Sequence, residues 1–117
     1  MYNKRSIGKE YEDLAIVYLE NNGYEILERN FYSKQGEIDI IARENEYLVF
    51  VEVKYRNNNK IGHSLEAITH SKKQRIIKTA KYYIYKKFYG KCPLARVDVV
   101  AIQDKEVLLV KDAFWIG

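Results

Sequence analysis

Residues 36–56, GEIDIIARENEYLVFVEVKYR, contain two apolar segments separated by a very short polar one. Both segments are rich in isoleucine, valine and aromatic residues, which favour β-strands. Only Asn45 and Glu46 remain for the connection, and asparagine tolerates the positive φ that two-residue hairpin turns require. We therefore expect an antiparallel hairpin in which Glu44 pairs with Tyr47.

The two faces of this hairpin differ in character, because side chains two residues apart on a strand share a face. One face is expected to be core and consists of Ile38, Ile40, Ala42, Val49, Val51 and Val53. The other carries charged residues inside the strands, namely Glu37, Asp39, Glu52 and Lys54. The predicted turn sets Asp39 directly opposite Glu52, whereas a slip of one residue would put them on opposite faces.

The remaining segments predict helices and further strands around the hairpin. Apolar residues recur at helical spacing over residues 6–22, on a stripe formed by Ile7, Tyr11, Leu14, Ala15, Tyr18 and Leu19. A strand over 24–30, a long helix over about 64–89 and strands over 96–102 and 106–115 complete the pattern. The expected fold class is α/β, a mixed sheet flanked by helices in the order α-βββ-α-ββ.

Length and composition limit the classes of protein to consider. A chain of 117 residues with 47% hydrophobic and 31% charged residues is typical of one folded domain, here 1–117. No segment has the features of a membrane helix or a signal peptide, so we expect a cytoplasmic protein without a membrane partner. Cys92 is the single cysteine, which excludes an internal disulfide, and no zinc-ligand spacing is present.

The charges are distributed unevenly along the chain. Eleven of the sixteen acidic residues lie in residues 1–52, whereas residues 53–97 contain twelve Lys or Arg and one acid. Such a basic segment attracts phosphates, although a solvated helix face is an equal alternative. The candidate nucleic-acid-binding residues in it are Arg56, Lys72, Lys73, Gln74 and Arg75.

Two opposed carboxylates destabilise a sheet unless a cation compensates them. Mg²⁺ prefers oxygen ligands and is commonly held by one or two carboxylates and several waters, which fits Asp39 and Glu52. Lys54, on the same face, is placed to hold a phosphate oxygen or to orient an attacking water. The alternative is an ordinary solvated strand face, which carries the same residue types and is favoured by the pattern alone.

Four segments together resemble a known family: GKEYEDLAIVYLENNGYEIL, GEIDIIA, VFVEVKYR and RVDVV. They are similar to the YraN family of small bacterial endonuclease-like proteins, within the PD-(D/E)XK nuclease superfamily that includes the archaeal Holliday junction resolvases. The resemblance covers nearly the whole chain, and its most specific part is GEID followed by FVEVKxR. It implies a restriction-endonuclease-like core and a DNA endonuclease that uses Mg²⁺ or Mn²⁺.

The resemblance also implies roles for individual residues. The D…ExK triad of the superfamily falls on Asp39, Glu52 and Lys54, and the main-chain carbonyl of Val53 falls on a further metal ligand. The acid of the family's first helix falls on Glu12. Here the chain has a tyrosine before the glutamate, where the family usually has glycine.

Two other acids have weaker claims. Glu37 belongs to the signature, but capping or an ion pair with Arg43 or Lys34 explains it equally well. Asp98, in RVDVV, is expected to be a structural or supporting acid, and no catalytic role is assigned to it.

The resemblance to junction resolvases implies branched or recombination and repair DNA as substrate, a homodimer, and a helicase-like protein as a candidate partner. Two other classes of function stay open. One is a non-catalytic nucleic-acid-binding or adaptor module that retains a nuclease fold. The other is a structural or protein-binding domain, whose DNA binding would change little with salt.

Overall fold

The computed structural model describes residues 4–56, 68–89, 91, 93–104, 106–114 and 116, without the side chains of residues 4–6 and 56. The elements are α1 (Lys4–Asn21), β1 (Glu25–Ser33), β2 (Gly36–Glu44), β3 (Tyr47–Arg56), α2 (His70–Phe88), β4 (Ala95–Gln103) and β5 (Glu106–Phe114). The predicted mixed α/β fold of order α-βββ-α-ββ is confirmed. Neither of the helices described here combines the length and apolarity needed to cross a membrane.

The five strands form one sheet in the order β1-β2-β3-β4-β5. Strands β3 and β4 are parallel, and the other neighbouring pairs are antiparallel. A parallel pair needs a long crossover connection. The segment that contains α2 supplies it, which places α2 beside the strands that carry the candidate acids.

The hairpin between β2 and β3 has the predicted register. Glu44 pairs with Tyr47, and Ile40 pairs with Val51. Asn45 adopts φ 54°, the left-handed conformation expected in a two-residue turn.

Helices cover the sheet on both faces. On one face Ala15 and Leu19 of α1 pack against Ile40, Val51 and other aliphatic residues of the central strands. On the other, Ile76, Ala80 and Tyr83 of α2 form a second core cluster that includes Phe50. The charged side of the hairpin therefore shares its face with a buried apolar cluster.

Two expectations about the helices are wrong in detail. Leu14 was expected on the apolar stripe of α1 but is exposed, and the neighbouring Ile16 packs against the core instead. The second helix begins at His70 rather than near residue 64, because the extended Thr69 caps it by accepting a hydrogen bond from the Lys72 amide. Residues 57–67 lie outside the described part.

The predicted core face is correct except at Ile38. Ile40 packs in the α1 cluster, whereas Ile38, two residues earlier, packs in the α2 cluster with Phe31. The β1–β2 register is unchanged between the pairs Arg29↔Ile40 and Phe31↔Ile38. Asn30, which lies between those pairs on β1, adopts φ 52°. The regular alternation of side chains between the two faces of the sheet is therefore broken at Asn30 and at Asp39 opposite it.

A buried polar network ties the end of α1 to β4 and β5. Asp98 is fully buried and accepts hydrogen bonds from the Tyr24 hydroxyl at 2.6 Å, the Arg96 guanidinium at 2.9 Å and the Asp112 amide at 2.9 Å. Arg96 also pairs with Glu44, which accepts from Lys111 at 2.8 Å. Asp98 has the structural role considered for it.

Candidate active site

The site begins where the paired part of the β2–β3 hairpin ends. The pairing runs from Glu44↔Tyr47 to Ile40↔Val51, so Asp39 and Glu52 are the next residues on each strand. Oδ2 of Asp39 accepts a hydrogen bond from the Val53 amide at 2.8 Å. A side-chain carboxylate thus takes the place that a backbone carbonyl has in a regular ladder, which fixes Asp39 against β3.

Asp39 and Glu52 meet, as the register predicted. Burial, the negative charge of Glu52 and a hydrogen bond with that carboxyl group raise the pKa of Asp39 to about 8, although the Val53 amide acts in the opposite direction. Two carboxylates held this closely cannot both ionise without cost. A proton or a cation between them removes that cost.

Glu52 is only 5% exposed. The alternative of an ordinary solvated strand face is therefore wrong at this position, because buried carboxylates require a partner. Nζ of Lys72, from the first turn of α2, lies 3.3 Å from Oε1 of Glu52. The ion pair links the sheet to the helix.

Two amines accompany the acid pair. Lys54 is half-buried, and burial together with the charge and hydrogen bond of Lys72 lowers its pKa. Burial alone would also lower the pKa of Lys72, but Glu52, the hydrogen bond with Lys54 and Asp39 together raise it. Lys72 is consequently the amine more firmly held as an ammonium.

Glu12 and Glu37 lie on the α1 side of the acid pair. Burial and the charge of Asp39 raise the pKa of each. With its amide nitrogen facing them, Asn30 donates to both carboxylates at 3.2 Å, and Arg29 lies 3.8 Å from Glu12. Glu37 is paired through Asn30, and no contact with the predicted partners Arg43 or Lys34 is seen among the described residues.

The ring of Tyr11 stacks on Tyr55 of β3, with centroids 4.3 Å apart and planes 13° from parallel. This contact holds α1 over the sheet one residue before Glu12. The bulk of Tyr11 is thus accommodated by a ring on the sheet beneath the helix.

Gly36 explains how closely α2 approaches β2. It has φ 153°, and an added Cβ would lie 3.3 Å from Oγ1 of Thr79 and 3.4 Å from Cβ of Arg75. A methyl group there would fit only if Thr79 or Arg75 moved by a few tenths of an ångström. The glycine of the GEID segment therefore permits a close contact between β2 and α2 beside the acids.

An open cavity of about 250 Å³ lies between the acid pair and the first turns of α2. Its lining includes Asp39, Glu52, Lys72, Arg75 and Glu37. On the α1 side a wider depression is lined by Glu12, Asn30 and, again, Glu37. Glu37 thus faces both, and the acids lie where the two depressions approach each other.

The other predicted phosphate-binding residues are more dispersed. Lys73 lies over the Phe114 ring, 5.6 Å from its centroid, and so points away from the acid pair. Gln74 and Arg75 are exposed on α2, and an Arg75 nitrogen lies 3.4 Å from the Ser71 hydroxyl. The side chain of Arg56 lies outside the described part.

The carboxylate oxygens of Asp39 and Glu52 are of the type that hard divalent cations bind. Across residues 4–56, 68–89 and the described positions beyond them, no three Asp, Glu, His or Cys side chains are arranged closely enough to hold a metal. Mg²⁺ commonly uses only one or two carboxylates and keeps its waters. Because N–H and C=O of a strand residue point to the same neighbour, the Val53 carbonyl also faces β2.

Two contacts of the site were not predicted from the sequence. The Lys72 ammonium pairs with Glu52, and the expected contact of Lys72 with a nucleic-acid backbone stays a prediction. Asn30 was not considered at all. Its position before an aromatic residue within a predicted strand gave one usable signal, because asparagine adopts positive φ more readily than most residues.

Comparison with known proteins gives a consistent set of relatives. A model described as "Uncharacterised protein family UPF0102" matches residues 11–102. A UPF0102 protein of Lachnoclostridium phytofermentans is 49% identical over 112 residues, covering 96% of this chain and 95% of the relative. One of Fusobacterium nucleatum is 43% identical, with 97% and 94% covered, and one of Persephonella marina is 46% identical, with 92% and 91% covered.

Proposed function

The chain belongs to the uncharacterised protein family UPF0102, and from the geometry of its acid pair we propose that it is a metal-dependent endonuclease that hydrolyses phosphodiester bonds in DNA. The observation that carries this proposal is the contact between Asp39 and Glu52 beside two lysine amines. The resemblance to the YraN family and the PD-(D/E)XK superfamily supports the same reading.

The donor chemistry fits Mg²⁺ or Mn²⁺. Asp39 and Glu52 supply hard oxygen ligands, and the main-chain carbonyl of Val53 is the third candidate. Lys72 is also informative, because its ammonium group already occupies a cation position beside Glu52. A bound divalent ion would polarise the phosphate and lower the pKa of a water molecule.

The side chains around the acid pair would have separate roles in binding the phosphate, the strand and water. Lys54, whose pKa is lowered by burial and by Lys72, is placed to donate a hydrogen bond to a phosphate oxygen and to stabilise charge that grows in the transition state. Lys72, which pairs with Glu52 and lines the same cavity as Arg75, would hold the scissile strand together with Arg75 if a metal took its place beside Glu52. Glu12 and Glu37 would orient water on the α1 side of the site.

A cleavage assay on a panel of DNAs tests the proposal. We expect nicking of at least one of a four-way junction, a flap, a nicked duplex and a single strand in Mg²⁺ or Mn²⁺, and none in EDTA. Lys54→Ala is expected to lower the rate by about 100-fold or more. Titration of Mn²⁺ should release heat with wild type and little with Asp39→Asn.

The non-catalytic alternative makes an opposite forecast. Purified protein that binds these DNAs but leaves them intact in Mn²⁺, with equal Mn²⁺ heats for wild type and Asp39→Asn, would contradict the nuclease proposal. Two symmetric cuts need two sites related by a two-fold axis, so a junction-cutting form should be a homodimer. Light scattering in the presence of the junction measures this, and added helicase-like protein tests whether cutting needs a partner.

A further inference from the structure

The outer face of α2 carries tyrosines that do not contribute to the core. Tyr82, Tyr85 and Tyr89 are 40%, 73% and 92% exposed. Tyr82 and Tyr85 lie one turn apart on one side of the helix, and Tyr89, four residues further on, is the cap that follows the last helical residue, Phe88. Single exposed aromatic residues are ordinary, but three this close together form a surface. We call this set the tyrosine stripe.

The stripe lies within a strongly basic surface. The helix His70–Phe88 contains seven Lys or Arg residues and no acid. Lys86 lies over the Tyr82 ring, 5.7 Å from its centroid, and Lys78 and Lys81 are exposed one turn earlier. The Phe31 ring, 6.3 Å from that of Tyr82, supports it from the sheet side. Rings and cations therefore lie side by side along the helix.

The stripe also leads to the candidate active site. Arg75 lines the cavity that contains Asp39 and Glu52, and it is exposed on the same helix. From Arg75 to Tyr89 the helix axis extends about 21 Å. Platforms that bind single strands by stacking combine aromatic faces with a positive track, and the shortest of them cover about four nucleotides.

Charge argues against the simplest competing occupant, a second copy of the chain. In a two-fold dimer the same surface meets itself. A contact of this kind through the stripe would oppose Lys78, Lys81 and Lys86 to the same three cations of the second copy. A strand of phosphates and unpaired bases is complementary to both the cations and the rings.

We infer that the tyrosine stripe and the lysines beside it bind a single-stranded segment of nucleic acid and lead it to the acid pair. Bases stack on Tyr82, Tyr85 and Tyr89, while Lys78, Lys81 and Lys86 contact phosphates. The substrate class is therefore DNA with an unpaired segment, such as a flap or an open branch. This deepens the proposed function and rests on it for the role of the strand as substrate.

Binding measured in EDTA separates this inference from cleavage. Fluorescence anisotropy with labelled oligothymidylate, and with a blunt duplex of equal length, compares wild type with Tyr85→Leu and Tyr89→Leu. We expect each leucine variant to bind the single strand about tenfold more weakly. Duplex affinity should stay unchanged, because paired bases are already stacked. Tyr85→Phe should bind as wild type, since stacking needs the ring and not the hydroxyl.

Matched variants test the two parts of the surface. Tyr47→Leu removes an exposed tyrosine at the hairpin turn, where the Arg96 guanidinium covers the ring at 5.0 Å, and should leave single-strand affinity unchanged. Lys78→Gln should reduce the slope of log K against log salt by about 0.7. Circular dichroism of each variant verifies folding.

Several results would overturn the inference. They are failure of wild type to bind the oligothymidylate, equal affinity of the leucine variants and wild type, and equal losses on single strand and duplex. Tyrosine-dependent binding to phosphatidylglycerol vesicles in preference to the oligonucleotide would assign the stripe to a membrane surface instead. Single-strand binding as expected, with no cleavage of any DNA, would contradict the nuclease proposal and leave the stripe's role intact.

Discussion

The amide nitrogen of Val53 lies 2.8 Å from Oδ2 of Asp39 and holds that carboxyl group against the neighbouring strand. This bond stabilises the carboxylate, but burial and Glu52 outweigh it and raise the pKa of Asp39 to about 8. Asp39 is thus fixed in position beside a second acid and cannot turn away from it.

The first prediction concerns stability against pH. The raised pKa means that Asp39 binds a proton in the folded state over a range in which the unfolded chain has released it. The free energy of unfolding should therefore fall, by about 1 to 3 kcal/mol, as pH rises from about 4 to about 8. Urea unfolding of wild type and Asp39→Asn in EDTA measures this difference. A wild-type curve parallel to that of the variant would disprove it.

The second prediction separates metal binding from cleavage. Lys72→Gln removes the ammonium group that pairs with Glu52 and would compete with the proposed metal for that carboxylate. We expect Mn²⁺ to bind about three- to tenfold more tightly, since the lost ion pair is worth about 1 kcal/mol. Cleavage at saturating Mn²⁺ should fall, because Lys72 no longer holds the strand. Lys73→Gln, which removes an amine directed at Phe114, serves as the control and should leave Mn²⁺ affinity unchanged.

The third prediction concerns the buried network around Asp98. Asp98→Ala leaves Arg96 and the Tyr24 hydroxyl without their shared acceptor. The free energy of unfolding should fall by about 3 to 5 kcal/mol, as for other broken buried pairs. Asp13→Ala breaks an exposed ion pair with Arg29 and should change the free energy of unfolding much less. Similar losses in chemical denaturation for the two variants would contradict the assigned structural role.

The fourth prediction contrasts two glycines. Gly36→Ala puts a methyl group 3.3 Å from Thr79 and strains a residue at φ 153°, so it should cost about 1 to 3 kcal/mol. Gly8→Ala, inside α1 with only the Tyr55 hydroxyl nearby at 3.8 Å, should stabilise by about 0.5 to 1 kcal/mol. Thermal unfolding of both measures the signs. Stabilisation by Gly36→Ala would show that α2 does not depend on close approach there.

The sequence predicted the elements that depend on local pattern. Alternation and the short Asn45-Glu46 turn determine the register, and the register alone sets Asp39 opposite Glu52. The predicted helix over residues 6–22 agrees with α1, because the spacing of its apolar residues is also a local pattern.

What could not be predicted depends on contacts between distant segments. Lys72 is 20 positions from Glu52 in the chain, and only the packing of α2 over β2, which is close at Gly36, brings them together. The change of face at Ile38 follows from the backbone of Asn30 on another strand. Glu52 is likewise buried beneath α2, and the residue pattern of β3 gives no sign of that helix.

The two helices lie on opposite faces of the sheet, and their charges differ greatly. The segment of α1 contains three basic and four acidic residues, whereas α2 contains seven basic residues and no acid. The two helices therefore contribute an electric dipole directed across the sheet. In the field of a polyanion such as the proposed DNA substrate, this dipole would produce a torque that turns α2 forward during approach, so a larger fraction of encounters would begin in the orientation that suits the acid pair.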